Sequence, residues 1–185
     1  MRRRLLLPGL LLALAAPASF AQERRPRLTL DQLFEGLKLA PDEDTARAIE
    51  AEIWATWQSQ GSPTVQLLMR RGLRNLQAEA YDDALEDFDA VIALAPELAE
   101  GWNKRATVYF RRGELENAAR DIAEALAREP RHFGALVGLS YIHERRGDHI
   151  AALRAFEAAL AIHPKLAGAE TRLRELRRKA FGEGI

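Results

Sequence analysis

From Val65 onward, apolar residues recur at steps of three and four, and the pattern itself recurs. In the middle of the chain Trp102, Ala106, Tyr109 and Phe110 fall on one stripe. Arg111-Arg112-Gly113 breaks it, and a second stripe runs through Leu115, Ala118, Ile122, Ala125 and Leu126. That spacing predicts two amphipathic helices, since a strand would alternate apolar and polar positions. Gly113 falls where the first helix should end and Gly147 repeats it one unit later; a left-handed closing residue is cheap only for glycine. Pro96, Pro130 and Pro164 stand 34 residues apart and close the second helices, because proline has no amide with which to continue one.

The same step of 34 links Ala84, Ala118 and Ala152; Phe88, Ile122 and Phe156; Leu68, Trp102 and Leu136; and the small residues Gly72, Ala106 and Ser140. A period of this length held through several columns marks a stacked repeat array. Its units are 65–98, 99–132 and 133–164. Gly72, Ala106 and Ser140 on the first helices are expected to face Ala84, Ala118 and Ala152 on the second, where two helices cross closely. Phe88, Ile122 and Phe156 should fill the space towards the next unit.

Two segments flank the array. In 29–64, Thr29 caps a short helix bearing Leu30, Leu33, Phe34 and Leu37. Asp42 or Asp44 begins a longer one with Ala46, Ile49, Ile53, Trp54 and Trp57 on one stripe, and Gly61-Ser62-Pro63 ends it. The pair has the size of a unit without its columns and reads as a degenerate or capping unit. Trp54 and Trp57 are expected to cover the open face of the first full unit, the alternative being a docking surface. In 165–185, the stripe of Leu166, Ala169, Leu173, Leu176 and Ala180 is flanked by Arg172, Arg174, Arg177, Arg178 and Lys179. This is expected to be a capping helix, polar outside. The alternative is a basic helix lying on an anionic membrane surface.

These columns resemble the tetratricopeptide repeat, whose pattern is W-x2-L-G-x2-Y, then A-x3-F, then P. The middle unit supplies Trp102, Ala106, Tyr109, Ala118, Ile122 and Pro130. The first supplies Leu68, Gly72, Ala84, Phe88 and Pro96, and the third Leu136, Leu139, Ser140, Ala152, Phe156 and Pro164. Departures are Asn75 and His143 in the tyrosine column, and Arg71 and Arg105 in a leucine column. The resemblance implies an all-α, right-handed α-α superhelix, here with helical caps at both ends. It also implies a concave groove lined by the first helices, in which partners lie as extended peptides or helices. Carried over by position, the groove comprises Met69, Arg70 and Leu73; Asn103, Lys104, Thr107, Phe110 and Arg111; and Val137, Gly138, Tyr141, Glu144 and Arg145. Arg70, Lys104, Arg111 and Arg145 are expected to make it positive. The lysine–asparagine clamp by which some members grip a terminal carboxylate is broken, with Met69, Leu73 and Lys104 at its positions.

Composition then narrows the setting. Residues 1–21 read as a secretory signal peptide: Arg2-Arg3-Arg4, an apolar run from Leu5 to Ala16, and Ser19-Phe20-Ala21 before a cut ahead of Gln22. Residues 22–28 form a flexible leader. Export implies the periplasm, or the medium; the periplasm implies a partner among other envelope proteins, with no stable membrane insertion after cleavage. Without the first 21 residues the chain has 24 basic and 27 acidic residues. That balance speaks against nucleic-acid binding, which needs a concentrated basic face. Hydrophobic content of 48% suffices for a packed core. The chain has no cysteine, which removes disulfides, thiolate chemistry and cysteine-ligated zinc.

Catalytic patterns are missing: no nucleophile elbow, phosphate loop or dinucleotide fingerprint occurs. His143-Glu144 and His149 suggest a metal-dependent hydrolase only superficially, because the histidines are six apart and Gly147 interrupts the helix that would align them. No cofactor, metal or catalytic residue is therefore expected. The expected function is a non-enzymatic interaction scaffold or adaptor of the bacterial cell envelope. The rival is a membrane-surface organiser acting through the basic C-terminal helix.

Overall fold

The structure, a computed structural model, describes residues 28–182. The expected signal peptide lies outside the described residues, as does the leader except for Leu28. The described residues form an all-helical chain: α1 (Leu30–Leu39), α2 (Glu43–Gln58), α3 (Pro63–Gln77), α4 (Tyr81–Leu94), α5 (Ala99–Arg112), α6 (Leu115–Arg128), α7 (Phe133–Arg145), α8 (His149–Ile162) and α9 (Ala169–Phe181). The helix pairs α3–α4, α5–α6 and α7–α8 are the three repeat units, and each packs on the next to make a solenoid.

The columns explain the stacking. Ala84, Ala118 and Ala152 are fully buried at the crossings. A Cβ added to Gly72 would lie 2.8 Å from Phe88 Cε1, so Phe88 closes on the first helix of its own unit. It is not confined to the gap ahead, although it also shares a cluster with Val108 of α5. Gly113 and Gly147 both take φ 80°, the left-handed cap their position predicts. The first unit makes the same turn with Glu79 at φ 58°, a conformation that costs an L-residue about 1–2 kcal/mol.

The arginines in the leucine column have a structural partner. Arg71 Nε donates to Asp87 at 2.6 Å, and Arg105 Nε to Asp121 at 2.8 Å. Each pair ties the first helix of a unit to the second, at the same step of 34. The third unit replaces both members with apolar residues, Leu139 and Ala155.

The N-terminal pair is a helical cap whose covered face differs from the expectation. Thr29 forms a reciprocal capping box with Gln32, and Asp42 accepts from the Thr45 amide at 2.7 Å, which fixes the start of α2. The buried stripes of both helices then turn away from the first unit. Leu33, Phe34, Leu37, Ala46, Ile53 and Trp57 form a core with Phe133 and Ala159 of the third unit. Arg131 donates to Asp31 at 2.7 Å, and its guanidinium lies 4.3 Å from the Phe34 ring centroid. The hairpin thus folds back over α5, α7 and α8. Period and stripe settle that a helix has an apolar face; they do not settle which distant unit meets it.

At the other end α9 seals the array, with Leu176 fully buried against Ala152, Leu153 and Phe156. Its cations are answered internally. Arg172 and Lys179 both pair with Glu144, Arg174 with Glu170 and Arg177 with Glu157.

Candidate functional site

The first helices α5 and α7 present one side to a concave surface and the other to their partners α6 and α8. Helical spacing decides which residues go where. Val65, Met69 and Gly72 follow one another at steps of four and three, and all three are buried; so are Ala99, Asn103 and Ala106. Met69 is therefore a core residue, 1% exposed, packed with Val65, Val91 and Val108. Asn103, 5% exposed, donates to Glu100. Both lie on the small-residue stripe, and of the two Asn103 also lines the groove between α5 and α7. Val137, in the same column, is half-buried beneath the N-terminal hairpin.

Asn103 and Val137 of this column join the next positions around each helix to form a surface. Thr107, Phe110, Arg111, Val137, Gly138 and Tyr141 line a cavity of about 490 Å³ between α5 and α7. Phe110 and Tyr141 lie with ring centroids 6.4 Å apart, and Tyr141 is 43% exposed. Leu73, Thr107 and Arg111 line a second hollow of about 380 Å³ between α3 and α5. Arg111 is exposed and has no ion-pair partner among the described residues. Arg145 stacks 5.5 Å from the Phe110 centroid and is otherwise exposed. Arg70 is exposed but lines neither hollow. Glu144 is taken up by Arg172 and Lys179, which hold its carboxyl below the usual range against the effect of burial. It is thus committed to structure on the edge of the site.

Lys104 differs from its expected role as a free cation. Its ammonium pairs with the fully buried Glu100 at 3.0 Å and stands 5.0 Å from the Trp54 ring centroid. Glu100 also receives a hydrogen bond from Asn103 at 2.9 Å and meets His132 Nε2 at 3.1 Å. Burial pushes the Glu100 carboxyl up, but Lys104, His132 and Asn103 together outweigh it and the net direction is down. A buried carboxylate persists only with such partners.

Trp54, from α2, lines the main cavity as well. Positional transfer from the repeats could not place it there, because α2 lies outside them. The aromatic stripe of α2 had marked Trp54 as an alternative docking residue, and a second signal is Gly134, which follows Gln66 and Glu100 in its column. A glycine where sister units carry long side chains marks a close approach, and a Cβ at Gly134 would fall 2.5 Å from Trp54 Cη2.

Fold and groove define a helical-repeat solenoid with a partly apolar, cationic concave face. The family model for the tetratricopeptide repeat matches residues 69–126 and 103–167. A TPR repeat-containing protein of Rhizobium etli is 39% identical over 157 residues, 85% of this chain and 77% of the relative. The chain belongs to the tetratricopeptide repeat family. Solved structures share the fold. The first TPR domain of human RPAP3 superposes with a TM-score of 0.61 at 20% identity, over 64% of this chain and 94% of that one. MamA gives 0.58 at 18% identity, over 81% and 80%. The TPR2B domain of yeast Sti1, in its pHsp70 complex, gives 0.59 at 19%, over 64% and 97%.

Proposed function

We propose that this protein is a non-enzymatic adaptor that binds a short acidic segment of another envelope protein in the groove between α5 and α7. The pair of half-buried Phe110 and exposed Tyr141, beside the unpaired Arg111 and the exposed Arg145, carries the reading. Aromatic and arginine side chains in a concave site are the usual energetic anchors of an interface, and cations without internal partners favour carboxylates on the ligand. Related folds support a peptide ligand: the first TPR of Spaghetti (RPAP3) is bound to the HSP90 peptide SRMEEVD. The export signal at residues 1–21 supports the envelope setting, with cleavage after Ala21. The rival membrane-surface role draws less support, since Arg172, Arg174, Arg177 and Lys179 of α9 are engaged by Glu144, Glu157 and Glu170. No helix among the described residues is long and apolar enough to cross a membrane.

Peptide selection from a displayed random library tests the binding reading. Selected sequences should pair carboxylates with a bulky apolar residue, and the double variant Phe110→Ala, Arg111→Glu should lose them while still melting cooperatively. Selection that survives in the double variant would remove the groove as the site. Intact mass of exported protein tests the setting, with a chain beginning at Gln22 expected.

A further inference from the structure

We propose that Trp54 is a fixed wall of the ligand cleft, so that the N-terminal hairpin sets which side chain the groove accepts. The inference rests on the groove reading above. Trp54 is the lining residue of the main cavity that comes from outside the three units. Together with Gly134, Val137 and Tyr141 it also lines a cavity of about 460 Å³ on the side of α9. These four shared residues form the ridge between the two spaces. A ligand running over α5 towards α7 therefore meets the indole.

The indole is held from every side. Its Nε1 donates to Glu50 at 3.0 Å, and Glu50 in turn meets His163 Nε2 at 3.2 Å. Its ring packs edge-on against Trp57 at 5.2 Å and Phe133 at 5.3 Å, and Lys104 covers a face. The far edge presses on the bare backbone of Gly134. Behind it Trp57, Ile53 and Phe34 are buried in a continuous core with the third unit. A side chain locked in this way offers a preorganised surface, and preorganisation lowers the entropy cost of binding. A displaceable plug would instead expose Trp57 and Phe133 on leaving.

The occupant follows from the walls. Trp54, Phe110, Val137 and Tyr141 line an apolar, open-sided space, and Arg111 lines it with them. The matching segment carries one bulky apolar side chain with carboxylates beside it. Offset and edge-on aromatic contacts make a phenyl ring the best single probe.

The experiment compares two synthetic peptides, acetyl-DDFDD-amide and acetyl-DDADD-amide, by calorimetric titration against the full chain without its signal segment. The wild type should prefer the phenylalanine peptide by about tenfold. Trp54→Leu should cut that preference to about twofold, because the indole provides one wall of the space that takes the ring. Gly134→Ala, which must push the indole aside, should also narrow the preference with the tryptophan still present. Circular dichroism melts confirm that both variants fold. A full tenfold preference in Trp54→Leu, lost in Phe110→Ala, would overturn the role of the hairpin and leave the groove reading intact. A wild type that binds neither peptide would overturn both.

Discussion

Trp57 lies flat on the imidazole of His132, with ring centroids 4.2 Å apart and planes 11° from parallel. This contact joins a helix outside the repeats to the turn that opens the third unit. His132 is itself fully buried, accepting the Ala135 amide on Nδ1 and meeting Glu100 on Nε2. The stack therefore rests on the network that also holds Lys104. Hairpin, groove floor and repeat turn are one mechanical unit.

If so, Trp57→Ala should do more than leave a hole. Removing a buried aromatic of this kind costs roughly 3–5 kcal/mol, and here the loss falls on the docking of α1 and α2. Limited proteolysis should cut the linker at 59–62 in the variant well before the repeats unfold. Resistance at that linker equal to the wild type would mean that the hairpin is held by other contacts.

The repeated ion pair permits a test with a control built into the protein. Asp121→Ala strands Arg105, whose side chain is 18% exposed, and breaking such a buried pair costs roughly 3–5 kcal/mol. The double change Arg105→Leu, Asp121→Ala copies the Leu139 and Ala155 of the third unit and should recover most of that loss, as apolar replacement of a buried pair often does. Asp89, which also binds Arg105 at 2.6 Å, will soften the single variant. Denaturant midpoints decide it: a double variant no more stable than the single one would show that the pair cannot be exchanged for packing here.

The repeats were legible because their constraints are local. Gly113, Gly147 and the three prolines report backbone conformation directly, and Ala84, Ala118 and Ala152 report close crossings. Arg71 and Arg105 read as departures because their partners, Asp87 and Asp121, lie 16 residues away on another helix. Met69 was misplaced by one column, since a helix face shifts by about 100° per residue and a neighbouring column can be core. The docking of α2 on the third unit was hidden for a different reason. Glu50 and His163 are 113 residues apart, and periodicity cannot choose between equally apolar surfaces.

That same pair predicts a pH dependence. The hydrogen bond with His163 holds the Glu50 carboxyl below its usual 4.5, with Trp54 Nε1 adding to it and burial opposing. A carboxylate depressed in the folded state contributes stability that is fully present above 4.5 and lost as pH falls through the lower native value. The melting difference between wild type and Glu50→Gln should therefore be largest near neutrality and shrink on acidification below about 4.5. A difference that is constant from about pH 7 to pH 3 would mean that Glu50 does not titrate with folding.

Lys104 and Arg111 should separate stability from binding. They sit seven residues apart on α5, both against the main cavity, yet only Lys104 has a buried partner in Glu100. Lys104→Glu places a second carboxylate beside a carboxylate that is fully buried. It removes one member of a buried pair, so the loss of stability can reach roughly 3–5 kcal/mol, less what His132 and Asn103 retain. Arg111→Glu touches no ion pair, and its effect on stability should stay within about 0.5 kcal/mol. Its effect on binding should be the larger of the two per folded molecule. Reversing an exposed charge at the rim mainly slows association with an acidic peptide, and added salt should shrink the difference from wild type. Parallel melts and association rates with acetyl-DDFDD-amide at two salt concentrations check both halves. Equal melts for the two variants would show that Glu100 does not depend on Lys104. Association with Arg111→Glu that matches wild type at low salt would take Arg111 out of the ligand site.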